Sequence, residues 1–316
     1  MAFSKIYKNG TYTVIIQDTG TKKYIGQEFI ADFPDSLDLK ITEQCMHGCP
    51  FCHENSTKTG KHGDLDQLVL KLKGLPKGVE LAVGGGNALL HPGLMEFLEK
   101  IKDHFNVAIT VHWKDMTNKE TRDILNEIYQ KDYVNSIGIS LADINKKTIS
   151  TEKDVFNITR ENEMIALFHS MKTVFHVIPG ITPFEVFKKI LFDSFAFSKI
   201  LVLGFKQFGR AKDKELPLEE FKKWKECIQS YNRMAGAFLK MHKTIAFDNL
   251  ALEQLDIKNV FPEEIWSECY MGDEFTHSMY VDACRGEYGP TSRSPYSERI
   301  PWNNKTVIEY FKENHI

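Results

Sequence analysis

Three cysteines lie within eight residues of this chain, in the segment CMHGCPFC at positions 45–52. Six cysteines in 316 residues, three of them this close together, do not resemble a disulfide framework, and a tight cysteine group in a reducing compartment more often binds metal. Three thiolates in one loop are able to hold three irons of a cubane cluster, which leaves the fourth iron without a protein ligand. This cysteine loop, residues 45–52, therefore predicts a [4Fe–4S] site on Cys45, Cys49 and Cys52.

The alternative metal for the cysteine loop is zinc, with His47 or His53 as the fourth ligand. Structural zinc sites usually combine two ligand pairs from separate parts of a chain. The other cysteines, Cys227, Cys269 and Cys284, are 42 and 15 residues apart and form no second pair. The spacing thus favours one iron–sulfur cluster over zinc and over a second cluster.

Strand-like and helix-like segments alternate regularly after Pro34. The predicted strands are Leu37–Thr42, Val79–Val83, Val107–His112, Ile137–Leu141, Thr173–Ile178 and Ile200–Phe205. The predicted helices between them are Leu65–Leu75, Leu94–Phe105, Lys119–Lys131, Glu161–Phe168 and Pro183–Phe192. Apolar runs that alternate with amphipathic segments are typical of βα units around a parallel sheet. The six units predict an α/β fold with a partial or complete βα barrel, and a doubly wound open sheet is the alternative.

The segments before and after this alternation have a different pattern. Residues 1–36 predict an N-terminal β extension, in which Thr11–Ile16 and Lys23–Ile30 form a hairpin around residues 18–21. Residues 37–215 are the predicted barrel, and residues 216–316 are a C-terminal α+β segment that closes its open side. The predicted elements of this last segment are a helix at Leu218–Lys240, strands at Thr244–Asp248 and Met279–Ala283, and an extended loop at Arg285–Trp302.

The formal net charge of −3 and the pI near 6.4 imply no field strong enough to recruit bulk nucleic acid or a membrane surface. The first twenty residues lack the apolar run of a signal peptide. No segment has the roughly 18 consecutive apolar residues of a membrane span. We therefore expect a cytoplasmic protein without a membrane partner.

The spacing C-x3-C-x2-C, with the aromatic Phe51 directly before the last cysteine, resembles the signature of the radical S-adenosylmethionine (SAM) superfamily. The resemblance implies a partial (β/α)6 barrel and an oxygen-sensitive [4Fe–4S] cluster. It also implies that SAM binds the open iron through its amino and carboxylate groups, and that an electron from a flavodoxin- or ferredoxin-like reductant cleaves it. The resulting 5′-deoxyadenosyl radical takes a hydrogen atom from a substrate. No SPASM-type domain with cysteines for auxiliary clusters is recognisable.

A second motif of the resemblance is the run Gly84-Gly85-Gly86-Asn87, which matches a GGEP-like stretch after the second strand. The resemblance implies that the backbone of Gly85 and Gly86 contacts the amino group of SAM. Asn87 stands where the family usually has an acidic residue, and its carbonyl accepts a hydrogen bond but brings no charge. The further SAM contacts that the resemblance implies are Phe51, Ser140, Val177 and Gly204.

Polar side chains at predicted strand ends are candidates to line a substrate pocket. They are His112, Lys206, Gln207, Arg210 and Asp248. Each has a simpler interpretation as a cap, a turn residue or a surface charge. The size, charge and few cysteines favour a small-molecule or nucleotide substrate, and a peptide-modifying enzyme is the alternative. A non-catalytic iron–sulfur or zinc protein that binds or senses a ligand is the alternative from another functional class.

Overall fold

The computed structural model of the chain describes residues 3–17, 22–144, 172–192, 199–237, 244–270 and 272–314. The strands are β1 (Phe3–Asn9), β2 (Tyr12–Gln17), β3 (Lys22–Ile25), β4 (Ser36–Thr42), β5 (Glu80–Gly85), β6 (Asn106–His112), β7 (Ser136–Ser140), β8 (Thr173–Val177), β9 (Lys199–Val202), β10 (Thr244–Phe247), β11 (Ser278–Asp282), β12 (Glu287–Gly289) and β13 (Ile300–Pro301). The α-helices are α1 (Leu65–Lys71), α2 (Leu94–Ile101), α3 (Lys119–Gln130), α4 (Phe184–Phe192), α5 (Leu218–Ala237), α6 (Asn249–Gln254), α7 (Glu263–Cys269) and α8 (Val307–Asn314). The predicted helix Glu161–Phe168 and the predicted turn at residues 18–21 lie outside the described residues.

Ten strands form one sheet in the order β10-β9-β8-β7-β6-β5-β4-β11-β12-β13. The strands from β4 to β9 lie side by side in chain order and are all parallel, which confirms the predicted βα units. A doubly wound sheet would reverse its strand order partway, and this part of the sheet does not. The C-terminal segment adds parallel strands at both edges, because β10 pairs with β9 and β11 pairs with β4. The arrangement is that of a partial βα barrel.

The two faces of this sheet differ in burial. On one face, alternate residues such as Leu37, Leu39 and Val83 are fully buried and join a hydrophobic cluster with the helix residues Leu68 and Leu98. On the other face, which we call the inner face, the alternate residues are mostly polar or partly exposed. A parallel sheet is usually buried on both faces. The exposed inner face therefore indicates an accessible interior rather than a packed one.

The N-terminal extension is a three-stranded antiparallel sheet in the order β1-β2-β3, so the predicted hairpin omitted β1. Asp35, which precedes β4 and is 1% exposed, connects this small sheet to the barrel. Its carboxylate accepts hydrogen bonds from Tyr7 (2.9 Å), Tyr12 (2.6 Å) and Asn9 (2.8 Å). A buried carboxylate with three donors is stabilised despite its lost hydration.

Two predicted boundaries require correction. The strand β9 ends at Val202 rather than Phe205, because the N–H groups of Gly204 and Phe205 donate to side chains of the C-terminal segment instead of a neighbouring strand. The predicted loop at Arg285–Trp302 contains the short strands β12 and β13. Strand β12 pairs antiparallel with β11 on one side and with β13 on the other. None of the described helices combines the length and the apolarity that crossing a membrane requires.

Candidate active site

The predicted site residues gather where the parallel strands end. The cysteine loop follows β4, the glycine run ends β5, His112 ends β6 and Ser140 ends β7. The register pairs His112 with Ser140, and Ser140 with His176, so these three residues form a row across neighbouring strands. The carboxyl ends of barrel strands are where βα folds place their active sites.

The three thiols of the cysteine loop are partly exposed and close enough to influence one another electrostatically. The sulfur of Cys45 accepts hydrogen bonds from the backbone N–H groups of His47 and Gly48, as sulfur ligands of iron–sulfur clusters commonly do. Burial raises the pKa of Cys45, and it raises the pKa of Cys49 to about 11, helped by the nearby carboxylate of Asp143. Because a bound metal deprotonates the thiols that ligate it, this donor set fits a metal cluster whose binding creates the thiolates.

Arg210 holds the cysteine loop in place. Its Nε donates to the carbonyl oxygen of Cys49 (2.8 Å), and its Nη1 donates to that of Ser56 (2.7 Å). Its backbone N–H donates to the carbonyl oxygen of Cys52 (3.0 Å). The predicted contact of Arg210 with a substrate stays a prediction, and the structure adds a second role for this residue, because two of its guanidinium nitrogens bind backbone carbonyl oxygens in and after the cysteine loop.

The glycines after β5 allow two loops to approach each other closely. Gly85 has φ +110°, and a Cβ there would lie 2.5 Å from the carbonyl oxygen of Thr42. A Cβ on Gly86 would lie 2.3 Å from the carbonyl oxygen of Gln44, the residue before Cys45. The N–H of Gly86 donates to Thr42 (2.7 Å). These glycines therefore have a packing role beside the cysteine loop, whereas their predicted contact with SAM stays a prediction.

We expect the G86A variant to bind less iron than the wild type and to unfold at a lower temperature. The added methyl group meets backbone, which cannot rotate away, and such overpacking typically costs about 1–3 kcal/mol. The matched control is G84A, because a Cβ on Gly84 has no neighbour within 4 Å. Iron analysis and thermal unfolding measure both effects. Equal iron content and equal melting temperature in the two variants would contradict the packing role.

Asn87 is buried and hydrogen-bonded within the protein. Its Nδ2 donates to Asp115 (2.7 Å), and its Oδ1 accepts the N–H of Leu89 (3.1 Å), capping a short 3-10 turn. The carboxylate of Asp115, which is 2% exposed, also accepts the N–H of His112 (2.9 Å) and pairs with Nε2 of His47 (2.9 Å). Sequence reasoning missed Asp115. The one sequence feature that points to Asp115 is its position three residues after His112, because the two residues form a capping box at the start of a 3-10 turn.

A sulfur, an imidazole and a carboxylate meet beside the cysteine loop. The ligating atoms of Cys49, His112 and Asp143 all lie within 4.8 Å of one another. The Nδ1 of His112 accepts the N–H of Lys114 (3.2 Å), which leaves Nε2 facing Asp143 at 3.3 Å. Burial and the nearby His47 lower the pKa of His112 to about 4. His112 is therefore a neutral imidazole next to a predicted cluster ligand.

The two histidines considered as a fourth zinc ligand, His47 and His53, have carboxylate partners. Nε2 of His47 is paired with Asp115, and Nε2 of His53 lies 3.4 Å from Glu54. Neither nitrogen is therefore presented to the cysteines as a fourth ligand. Within the described residues, an imidazole that does lie within 4.8 Å of a predicted ligand sulfur is that of His112, which sequence spacing did not suggest for zinc.

The other predicted SAM contacts have different surroundings. Phe51 is partly buried against the hydrophobic core, and Ser140 is half-buried at the end of β7. Val177 is fully buried with its side chain in the core, so only its backbone faces the strand ends. The N–H of Gly204 donates to Asp248 (2.8 Å). All four remain predicted contacts.

Three further predicted substrate residues, Asp248, Gln207 and Lys206, have hydrogen-bond partners within the protein. Asp248 caps α6 by accepting the N–H of Ala251 (2.7 Å), and it also accepts that of Gly204, while its predicted contact with a substrate stays a prediction. Gln207 is exposed and donates to the carbonyl oxygen of Lys214 (2.8 Å). Lys206 is half-buried, donates to Ser292 Oγ (2.9 Å) and lies near enough to Asp38 to lower its pKa.

A buried charge network connects the cysteine loop to the barrel. Lys40 on β4 is 1% exposed, and its Nζ lies 3.0 Å from Glu43, 3.2 Å from Glu54 and 3.1 Å from Asp282. Burial alone would lower the pKa of Lys40, but Glu54 and Asp282 raise it above its ordinary value. Arg299 pairs with Asp282 (3.3 Å). Sequence reasoning missed this network because its members come from distant parts of the chain.

His176 faces the inner side of the sheet from β8. Its ring lies over Gly138 of the neighbouring strand, where a Cβ would come within 2.3 Å of the ring. Among the described residues the ring has no hydrogen-bond partner, and burial lowers its pKa to about 4. The space that Gly138 leaves thus admits a neutral imidazole into the barrel interior.

We expect the ring of His176 to remain neutral until the pH approaches 4. Because its pKa in the folded state is below 6.5, the unfolded chain binds this proton first, and the folded state loses stability as the pH falls from 6.5 to about 4. Two-dimensional NMR of the histidine rings measures this titration, and the signal absent from H176Q identifies the ring. Titration of that signal near pH 6.5 would contradict the prediction.

Comparison with known proteins gives one family and several similar folds. Residues 39–183 match the model of the radical SAM superfamily. No curated protein matches the chain. Streptococcus suis SuiB bound to S-adenosylmethionine is similar in structure, with a TM-score of 0.62 and 14% identity over 90% of this chain and 67% of that chain.

Two peptide complexes are also similar to this chain. SuiB bound to its precursor peptide SuiA has a TM-score of 0.56 and 16% identity, over 83% of this chain and 60% of that chain. The protein anSMEcpe with bound AdoMet and the Cp18Cys peptide has a TM-score of 0.54 and 11% identity, over 89% of this chain and 82% of that chain. At these identities the likeness shows the fold alone.

Proposed function

Because residues 39–183 of this chain are a radical SAM domain, we propose that it cleaves SAM and transfers the radical to a substrate held at the inner face of the barrel. The observation that carries the proposal is the cysteine loop, whose three thiols come together at the end of β4 with backbone N–H groups donating to Cys45. The enzyme is of the radical SAM class, and its cofactors are a [4Fe–4S] cluster and SAM.

The sulfurs of Cys45, Cys49 and Cys52 are the proposed ligands of the cluster. When bound, the cluster would supply the electron for reductive cleavage of the bond between sulfur and C5′ of SAM, which would yield methionine and, after transfer of a hydrogen atom from the substrate, 5′-deoxyadenosine. A flavodoxin- or ferredoxin-like protein is the proposed electron donor. The oxygen sensitivity of such a cluster supports a cytoplasmic location.

The remaining residues hold and shape the site. Arg210 binds the backbone of the cysteine loop, and Lys40 connects Glu54, two residues after Cys52, to β4 and β11. Gly86 lets the glycine run lie against the residue before Cys45. These contacts support a loop geometry that is preformed before the cofactors bind, which lowers the free energy needed to order it.

The proposed function is tested by anaerobic reconstitution with iron and sulfide, followed by addition of dithionite and SAM. We expect about four irons and four sulfides per chain and formation of 5′-deoxyadenosine together with methionine. A reconstituted protein that holds zinc and forms no 5′-deoxyadenosine with any candidate substrate would overturn the proposal in favour of a binding or sensing protein.

We propose a small polar molecule or a nucleotide as the substrate. This proposal is supported by the charged side chains of the inner face. Asp38 lies on β4, which has a parallel strand on each side, and its side chain is nevertheless exposed, so it faces an accessible interior. Although the side chain keeps contact with solvent, the protein that surrounds it in the barrel interior removes part of its hydration and raises the pKa of Asp38; Lys206 lowers this pKa, and nearby carboxylates raise it. Because the barrel interior contains both an anionic side chain, Asp38, and a cationic one, Lys206, it suits a substrate that has both positively and negatively polarised groups.

A peptide substrate is the second candidate. It is favoured by the structural similarity to SuiB in complex with a precursor peptide and to anSMEcpe in complex with a peptide. The two candidates are separated by measuring whether free amino acids and nucleotides, or short peptides, accelerate formation of 5′-deoxyadenosine above its uncoupled rate. Acceleration by peptides alone would exclude the small-molecule proposal.

A further inference from the structure

We infer that Asp115 supplies the negative charge that attracts the amino group of SAM, a charge that residue 87 does not provide in this chain. The inference rests on the proposed function, because it requires SAM to bind beside the cysteine loop. SAM carries an ammonium group and a sulfonium group in solution. A cationic ligand in a site with little water binds more tightly when an anion lies nearby, because the surroundings screen the attraction weakly.

Asp115 lies at the junction of the loops that surround the cysteines. Its carboxylate contacts His47 of the cysteine loop, Asn87 of the glycine run and the N–H of His112 at the end of β6. It is 2% exposed, so solvent does not neutralise its field. One residue therefore presents a negative charge to the cysteine loop and the glycine run together.

The charge of Asp115 is not cancelled by a lysine or an arginine. In the part of the chain that the structure describes, His47 is the one basic side chain with a nitrogen within 4 Å of this carboxylate. The neighbouring Lys114 is paired with Asp143 instead, at 2.7 Å. The other two donors to this carboxylate, the side-chain amide of Asn87 and the backbone N–H of His112, carry no charge, so they stabilise the carboxylate without cancelling its charge.

Asn87 and Asp115 form a directly hydrogen-bonded pair, with 2.7 Å between Nδ2 and Oδ1. The pair as a whole carries one carboxylate and one amide. Either position could carry the carboxylate with this hydrogen bond kept, since an amide at residue 115 would donate one N–H to a carboxylate at residue 87 and the other to Nε2 of His47, which would then accept. The Oδ1 at residue 87 would continue to cap Leu89 in both arrangements. This interchangeability allows the charge to be moved while the packing is kept.

The test measures the dissociation constant of SAM for the anaerobically reconstituted holoenzyme by equilibrium dialysis. We expect D115N, which has no carboxylate in the pair, to bind SAM about 10-fold or more weakly than the wild type. The exchanged variant N87D/D115N restores one carboxylate, and we expect its dissociation constant to return to within about 3-fold of the wild type. Iron content and melting temperature are measured for each variant.

Two analogues of SAM distinguish the contribution of its ammonium group from that of its sulfonium group. S-adenosylhomocysteine keeps the ammonium group and lacks the sulfonium, whereas methylthioadenosine lacks both charges and the amino acid. We expect D115N to weaken binding of S-adenosylhomocysteine as well as SAM, and to leave methylthioadenosine unchanged. The matched control is T121V, which removes the hydrogen bond from Thr121 to the backbone of Asp115 (2.8 Å) without changing any charge.

The inference is overturned if D115N, with normal iron content, binds SAM as the wild type does. It is also overturned if N87D/D115N folds with normal iron content and binds as weakly as D115N, or if T121V weakens SAM binding as much as D115N. If D115N bound SAM more weakly but S-adenosylhomocysteine as tightly as the wild type, Asp115 would attract the sulfonium group rather than the amino group, and the inference would be refuted. Failure of the wild-type holoenzyme to bind SAM would instead refute the proposed function.

Discussion

Replacing Cys49 by alanine is expected to abolish cluster binding and to reduce 5′-deoxyadenosine formation to the level of a protein-free control. Two sulfurs remain in the loop of C49A, and a cubane cluster that must also leave one iron open for SAM requires three. The loss should be seen in iron and sulfide analysis, in the visible absorption of the reconstituted protein and in the product assay. We expect C45A and C52A to behave in the same way.

The matched control for these variants is C227A. Cys227 is a buried cysteine of α5, and burial raises its pKa to about 11, so that it is a protonated, apolar side chain. Its replacement removes a thiol but none of the loop donors, and C227A should bind iron as the wild type does. Full iron content in C49A, or an equal loss in C227A, would show that the cysteine loop is not the cluster site.

The K40M variant is expected to lose about 3–5 kcal/mol of unfolding free energy. A methionine fills the volume of the lysine side chain, but it leaves the carboxylates of Glu43, Glu54 and Asp282 without their shared cation. Removing one partner of a buried ion pair is costly because the other charge remains in a poorly hydrated place. Denaturant unfolding measures the loss of stability. Iron analysis shows whether the cysteine loop, which Glu54 connects to Lys40, also loses its cluster.

The control for K40M is K100M on the surface. Lys100 also contacts two carboxylates, Asp66 at 2.8 Å and Glu96 at 2.9 Å, but all three groups are well exposed. Exposed ion pairs contribute little because water hydrates and screens the separated charges. K100M should therefore unfold close to the wild type. Similar losses in the two variants would mean that burial of the Lys40 network has no special effect on stability.

Much of the fold follows from local patterns. The strands at Leu37–Thr42 and Val107–His112 were predictable because their apolar side chains alternate and each is bounded by turn residues. The strand β1 was omitted, since its sequence is mixed and its pairing with β2 depends on Asp35 gathering Tyr7, Asn9 and Tyr12 from both strands. The short β12 likewise depends on its neighbours, because β11 and β13 supply its hydrogen-bonding partners.

The individual roles of site residues were less predictable. Arg210 is predicted to contact a substrate because it follows a predicted strand, and the structure adds that its guanidinium donates to the carbonyl oxygens of Cys49 and Ser56, a role that the sequence did not indicate. Asp248 has the same kind of position, and the structure shows that it also caps a helix. A strand end indicates that a residue lies near the active site, but the direction of its side chain depends on which unpaired backbone groups lie within reach.

The sequence alone determined the class of chemistry of this chain, because cluster ligation requires a few thiols at a short, fixed spacing and this spacing is local. It also predicted the parallel sheet, because burial of every second side chain requires apolar residues at alternate positions along each strand. Only the tertiary structure decided that Asp115 lies beside Asn87, 28 residues away, and that Lys40 meets Asp282 across the chain. Contacts between distant residues depend on strand order and loop path, and buried charges are stable only where such contacts bring their partners together.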